Sequence, residues 1–557
     1  MSDILEYFPM PSFRKYQKEV LLRIDELFES GVKVILLDAP VGFGKSAVNL
    51  TLCRKYTQAI YTTPQLSLID QIKADKYLGK YVVEIKGRDN YQCVKDVLLT
   101  KVSEGLCKRS KDLGCDSKER WKVCPYYSQK LKALKADIAL MSLAYYIVDG
   151  HLEPPNFDDR NLVVIDEGHN LAEEVVKHVS VEIGPHTLPY RIYRRYVNHL
   201  EPRMQADLEW LIQSLCDEVE RELNSVELDL LGGRRLTVEE ARLREKMQNF
   251  LTNARQLLNT IVYTEWIWET GRIDYAGRPM KMLRASPVYG RLFCHDLIWK
   301  RAERFIVSSA TILDPKLFAR ETGLDLSFKP DEIRHIQVPS IFPPEIRPII
   351  DLAEGKLSLE LQEINLPKAI AKLEKILAEE KGSVAVHFPS YRLARQVYER
   401  ISPVLRQRII LPKPETRDKD LKRWLESRGK VLFAVAFQEG QDWKYDLCEA
   451  QVLFKALVPD VSDKRVAARL RRNDFKWLMI QALKESLQAY GRAVRAPDDY
   501  AKFYVLDSAF WELLRRQWKY VPDWFKEVVP WNRLPEYEKK RRKKAMEKSR
   551  TCSRTSA

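Results

Sequence analysis

Ala39-Pro40-Val41-Gly42-Phe43-Gly44-Lys45-Ser46 follows the apolar run Val34-Ile35-Leu36-Leu37. Small residues at this spacing let backbone N–H groups curl around β- and γ-phosphates. Lys45 adds a point charge and Ser46 a hydroxyl for Mg²⁺. The stretch meets G-x-x-x-x-G-K-[ST] except at its first position, Ala39. Further along, Leu162-Val163-Val164-Ile165 runs into Asp166-Glu167-Gly168-His169. Two carboxylates after a short buried strand would place Asp166 near Mg²⁺ and leave Glu167 to orient or deprotonate a water. The plainer alternative for the first block, a glycine-rich turn ahead of a helix, is already disfavoured by Gly-Lys-Ser directly after a strand, whereas the second block alone reads as a solvated turn. Together they form a hydrolytic constellation for a nucleoside triphosphate.

A third block lies near the end of the chain, Gln488-Ala489-Tyr490-Gly491-Arg492-Ala493-Val494-Arg495. Arg492 and Arg495, three apart, are expected to share a helix face and to reach a γ-phosphate as arginine fingers. The plainer alternative is a basic helical surface. Its place after Glu439-Gly440-Gln441-Asp442-Trp443, inside a second series of strands and helices, favours the fingers.

Nine cysteines in 557 residues are too few for a disulfide scaffold. Cys93, Cys107, Cys115 and Cys124 fall in one stretch without a C-x-x-C pair. Spacing alone leaves structural zinc, an iron–sulfur cluster and four reduced thiols open. Cys53, Cys216, Cys294, Cys448 and Cys552 are scattered and read as packing or surface residues. A net charge of +15 suits a polyanionic partner. The chain is too long for one core. It has no stretch long enough to span a membrane and no secretory leader at its start, so the cytoplasm is expected.

In order along the chain, these motifs resemble the XPD/DinG group of superfamily 2 iron–sulfur DNA helicases. Arg14 and Gln17 match the adenine-recognition R-x-x-Q, and Tyr61-Thr62-Thr63-Pro64-Gln65 motif Ia. Ser308-Ser309-Ala310-Thr311 is similar to motif III, and Ser340-Ile341-Phe342-Pro343-Pro344 to the S-P-F-P-P stretch. His387-Phe388-Pro389-Ser390-Tyr391 is similar to motif IV, the block at Glu439 to motif V and the block at Gln488 to motif VI. Gly168 departs from the family's alanine and is expected to loosen the backbone behind the carboxylates. Phe437-Gln438 also departs from the glycine-containing approach to motif V.

The resemblance implies an α/β fold of two RecA-like doubly wound parallel-sheet motors, with an Fe–S insertion and a mainly helical arch. The expected order is motor 1 at 1–88, cysteine insertion at 89–135, motor 1 again at 136–175, and arch at 176–295. Motor 1 ends at 296–325, motor 2 spans 326–536, and a basic tail occupies 537–557. ATP would be held by Arg14, Gln17, Ala39, Pro40, Val41, Gly42, Phe43, Gly44, Lys45, Ser46, Asp166 and Glu167. Gly440, Asp442, Gln488, Arg492 and Arg495 would face it from motor 2. Lys45, Asp166, Glu167, Arg492 and Arg495 would be catalytic, Ser46 and Asp166 would hold Mg²⁺, and the four clustered cysteines a [4Fe–4S] cluster. The implied activity is ATP-dependent 5′→3′ unwinding by a monomer acting on single-stranded and forked DNA, with repair or replication proteins as partners. A translocase that does not unwind, and a nucleic-acid-binding scaffold with a vestigial ATPase, are the rivals.

Overall fold

The computed structural model describes residues 3–96, 100–111, 115, 119–435 and 443–543. The strands in chain order are β1 (Val34–Asp38), β2 (Ala59–Thr63), β3 (Val83–Glu84), β4 (Ile138–Ser142), β5 (Arg160–Asp166), β6 (Val181–Ile183), β7 (Trp266–Tyr275) and β8 (Arg278–Pro287). They continue with β9 (Ala302–Ser309), β10 (Ile333–Gln337), β11 (Ile349–Gly355), β12 (Val384–Phe388), β13 (Ile409–Ile410), β14 (Val431–Val435), β15 (Ala450–Leu453) and β16 (Lys502–Asp507). Two sheets are parallel throughout, one ordered β10-β1-β9-β5-β2-β4-β3 and the other β11-β16-β15-β12-β14-β13. This is the doubly wound pair of RecA-like motors that the sequence predicts.

The sequence builds these sheets because their central strands are apolar on both faces, as parallel strands covered by helices must be. Successive side chains alternate between two cores. Val34, Leu36, Val163 and Ile165 pack on one face, and Ile35, Leu37, Leu162 and Val164 on the other. The second sheet divides in the same way, with Val384, Val386 and Phe433 on one side and Ala385 and Leu432 on the other. Among the described residues, no helix is long and apolar enough to cross a membrane.

Between β5 and β9 the chain leaves the first sheet. Helices Gln205–Leu231 and Val238–Thr260 form an antiparallel pair. The second is started by Thr237, whose hydroxyl accepts from Glu240 N at 3.1 Å while the Glu240 carboxylate accepts from Thr237 N at 2.7 Å. Helices dominate this stretch, as its apolar spacing predicts, but it also carries strands. β7 and β8 make a ten-pair antiparallel ribbon, from Trp266↔Pro287 to Tyr275↔Arg278, with β6 added along β8. Ala276 (φ +53°) and Gly277 (φ +75°) form its turn, with the positive φ at both positions that a tight hairpin of right-twisted strands needs. The outer half of β7 is mostly exposed, so no inside–outside alternation marked it as a strand.

Arch and cysteine insertion are tied together. Leu236 N donates to Arg109 O at 2.8 Å, Arg242 pairs with Glu104 at 2.5 Å and Arg88 with Glu245 at 3.4 Å. The second motor is tied to both the arch base and motor 1. Arg465 pairs with Glu173 and donates to Val288 O at 2.9 Å, and Arg472 pairs with Glu265 at 2.7 Å.

Gly168 is not a loose joint. It is buried under β9, and a Cβ there would lie 2.5 Å from Val307 Cγ1 and 3.0 Å from Ile165 Cγ2. The glycine lets the acidic loop approach the neighbouring strand closely. Gly168→Ala is therefore expected to lower the unfolding free energy by about 1–3 kcal/mol, the usual cost of overpacking. Chemical denaturation measures this, and an unchanged midpoint would mean that the strands part without cost.

Candidate active site

β1, β5 and β9 are adjacent, so their carboxyl ends open on one place: Asp38 pairs with Ser309 and Asp166 with Ser308. Ligands bind at such strand ends in doubly wound sheets. After β1 the chain turns through Gly42 (φ +81°) and Gly44 (φ +84°) into helix Lys45–Lys55. Side chains at left-handed φ are disfavoured, and both positions are crowded. A Cβ on Gly42 would fall 2.2 Å from the Phe342 ring, and one on Gly44 2.6 Å from the Gln17 amide. The helix start has no side-chain cap and no acid in its first turn, leaving its N–H groups to an anion.

The loop is held from behind. Arg14 Nη1 donates to Gly42 O at 2.6 Å and Gln17 Nε2 to Phe43 O at 2.8 Å. Gln17 Oε1 accepts from Arg14 N at 2.7 Å. These two side chains therefore fix the phosphate loop itself. Ala39, Pro40 and Phe43 are buried supports, with Ala39 N donating to Ser309 O at 2.7 Å. Ser46 lies within hydrogen-bonding reach of Tyr61.

Asp166 ends β5 with both carboxylate oxygens engaged, by Ser308 Oγ at 2.8 Å and Tyr61 OH at 3.0 Å. Asn49 steadies Ser308 at 2.9 Å. Tyr61, Asn49 and Ser308 come from three separate elements, so nothing local in the sequence marked them as a set. Burial, then the neighbouring Glu167 charge, push the Asp166 carboxyl above its ordinary range despite Lys45. For Glu167, burial acts upward, but Lys45 and His169 together outweigh it and hold the carboxyl well below the usual carboxylate range. Lys45 Nζ stands 3.1 Å from Glu167 Oε1. One lysine thus faces two carboxylates, and the shortage of positive charge at buried Asp166 fits a divalent cation held through Ser46 and Asp166.

The second motor reaches this site through helix Phe475–Tyr490. Gln488 Nε2, in its last turn, lies 2.5 Å from His169 Nε2 and donates to Thr311 Oγ1 at 3.1 Å. An amide that donates to Nε2 requires the imidazole proton on Nδ1. There it faces Ser309 Oγ at 2.8 Å and Glu167 Oε2 at 3.5 Å. His169, absent from the sequence-derived set though adjacent to it, is the joint between the motors. Lys484 on the same helix donates to Asn170 Oδ1.

Arg492 and Arg495 do not share a helix face as expected. The helix stops at Tyr490, Gly491 caps it, and both arginines lie in the turn beyond, with Val494 at φ +57°. Gly491 is a poor helix residue and ends the run. Arg492 O accepts from Trp443 N at 3.1 Å, and Arg495 N donates to Asp499 at 2.9 Å. Both arginines nevertheless line the same cleft of about 470 Å³ as Val41, Glu167, His169 and Thr311. Gly440 and Asp442 lie outside the described residues.

Cys93 and Cys124 are buried, and Cys107 and Cys115 half-buried, none in a disulfide. Burial first, and then the charges of Cys93 and Cys124, raise the Cys107 thiol against the pull of Arg120 and Lys108. Burial and the charges of Cys107 and Cys124 raise Cys115, opposed by Lys95. Cys107 thus stands in the field of Cys93 and Cys124, and Cys115 in that of Cys107 and Cys124, with Arg120, Lys108 and Lys95 nearby. That donor set suits an anionic iron–sulfur cluster. Among the described residues, no three His, Cys, Asp or Glu groups stand close enough to share a single metal ion. A cubane spreads its sulfurs more widely than one ion does. Cys53, Cys216, Cys294 and Cys448 are buried elsewhere in the packing, and Cys552 lies outside the described residues.

Residues 10–205 match the family model described as type III restriction enzyme, res subunit, and 373–528 that of a helicase C-terminal domain. The chain is 23% identical over 420 residues to the ATP-dependent DNA helicase XPD of Sulfolobus acidocaldarius, covering 70% of this chain and 72% of that one. It is 24% identical over 274 residues to the ATP-dependent DNA helicase DinG of Photobacterium profundum, covering 46% and 38%. A solved XPD helicase superposes with a TM-score of 0.60 at 17% identity, covering 93% of this chain and 98% of the other. That last likeness is one of fold. The two domain models, the XPD and DinG relatives and the order of the motifs make the chain similar to the XPD/DinG-type superfamily 2 helicases.

Proposed function

We propose that this chain is an ATP-dependent DNA helicase that hydrolyses ATP between its motors, translocates on single-stranded DNA 5′→3′ and opens forked duplexes in repair or replication. The observation that carries the reading is the bond from Gln488 of the second motor to His169, beside Glu167 and Lys45 of the first. Hydrolysis and relative motion of the motors then share one set of atoms. The names of the XPD and DinG relatives support DNA as the track.

In this mechanism the loop amides and Lys45 hold the β- and γ-phosphates. Ser46 and Asp166 would hold Mg²⁺, which when bound would supply neutralising charge to the phosphate oxygens. Glu167 is ionised at neutral pH and oriented by His169, so it can align the attacking water and take its proton. Arg492 and Arg495 approach from the other wall, where charge develops on the γ-phosphoryl group. Loss of that group removes the reason for closure, and the wall carrying the arginines swings away.

The surroundings of the cysteines fit a [4Fe–4S] cluster, which would brace the insertion. Between Cys93 and Lys135 the insertion carries 11 Lys/Arg against 5 Asp/Glu. Such a surplus beside a strand-separating element would track phosphates.

Purified chain should hydrolyse ATP with strong stimulation by single-stranded DNA and displace the strand of a 5′-tailed duplex but not a 3′-tailed one. Lys45→Ala should abolish turnover while retaining DNA binding, and Glu167→Gln should bind ATP without hydrolysing it. Anaerobic preparations should hold iron that Cys115→Ser loses together with unwinding, part of the ATPase remaining. ATPase without strand displacement would make the chain a translocase. Turnover in Lys45→Ala within a few-fold of wild type would remove this loop from the chemistry.

A further inference from the structure

Phe342 touches both walls of the cleft with one side chain. It lies in the segment between β10 and β11 that joins the motors, in the Ser340–Pro344 stretch that the mechanism above leaves without a role. Its ring is buried and lies against Gly42, where a Cβ would come within 2.2 Å of it. The same ring packs in one cluster with Ala493, Val494 and Ala501. Two of these residues separate Arg492 from Arg495.

The ring is held firmly. Ser340 Oγ accepts from Phe342 N at 3.1 Å and donates to Phe342 O at 3.0 Å. Arg347 Nε donates to Phe342 O at 3.2 Å. That buried guanidinium is fixed in turn by Trp524 O at 2.7 Å and Glu527 at 2.8 Å. At the other end of the arginine turn, Gly491 lies over Val41, a Cβ there falling 3.6 Å from Val41 Cγ2.

Val494 is the strained member. A β-branched residue at φ +57° clashes with its own backbone and stays there only when its neighbours overdetermine it. The Phe342 cluster is such a neighbour. Without it the backbone can relax to negative φ, which changes the angle between Arg492 and Arg495.

We infer that Phe342 is a positioning residue for ATP hydrolysis, bracing the strained Val494 turn against Gly42 so that both arginines stand at the phosphate loop. This role rests on the proposed ATPase. It adds a direct mechanical link from the phosphate loop to the arginine turn, separate from the Gln488 contact.

Steady-state ATPase with saturating single-stranded DNA tests it. Phe342→Ala should lower kcat by roughly 10- to 100-fold, the kinetic equivalent of releasing one strained backbone unit. KM for ATP should stay within about threefold, because Lys45 and the loop amides are untouched. Adding Val494→Gly should recover about fivefold or more, since glycine takes a positive φ without a brace. Phe342→Leu, which keeps apolar bulk, should retain most of the rate; if the alanine variant does not fold, Phe342→Val takes its place, with a kcat loss of at least about fivefold that Val494→Gly recovers. A Phe342→Ala kcat within twofold of wild type overturns the inference. So does an unrescued double variant, and so does a raised KM at unchanged kcat, which would make Phe342 a nucleotide contact. A wild-type chain with no ATPase overturns the function itself, and this role with it.

Discussion

One lysine between two carboxylates sets the terms for the whole molecule. Lys45 stands 3.1 Å from Glu167, while Asp166 beside it is buried and raised by that burial and by Glu167. Such a cluster is costly to bury and is tolerated only when further positive charge and fixed hydrogen bonds complete it. Ser308, Tyr61 and Asn49 supply the bonds from within motor 1. In the proposed mechanism the remaining charge would come from a divalent ion and from Arg492 and Arg495, which would make the second motor a chemical requirement of the first.

That requirement explains where the interdomain contacts lie. Helix Phe475–Tyr490 ends with Gln488 on His169 and carries Lys484 to Asn170 one turn earlier. Outside the cleft, Arg465 and Arg469 of the second motor pair with Glu173 and Glu321 of the first. Exposed ion pairs contribute little, but these are largely buried, and removing one partner leaves a costly unpaired charge. The arch base shares the same seam through Val288 and Glu265. In the proposed cycle these contacts would pass motion of the motors to the arch, and through Arg242 and Leu236 to the cysteine insertion.

Much of this was legible in the sequence where the signal is local. The central strands of both parallel sheets are apolar on both faces, and the phosphate loop and acidic block follow two of them directly, so pattern and chemistry coincide. Legibility failed where the cause is distant. The β7–β8 ribbon is largely exposed and carries no alternation. The helix bearing Gln488 ends at Tyr490 on the local signal of Gly491, but the turn beyond is seated on Val41 and Phe342 of two other segments, which periodicity cannot register. Gly168 seemed a loosening, yet its reason is a Val307 methyl on a strand far along the chain. Tyr61 and Ser308 sit in motif-like stretches and Asn49 in none, but only the fold shows that the three meet around Asp166.

The central claim is that hydrolysis depends on the Glu167–His169–Gln488 relay across the motors. A double-mutant cycle on kcat for DNA-stimulated ATP hydrolysis, with His169→Asn and Gln488→Ala, tests it most directly. Each single variant is predicted to lose roughly 10- to 100-fold, and the double to stay within about threefold of the worse single, because both break one relay. Losses that multiply in the double variant would show two independent contributions and contradict the account.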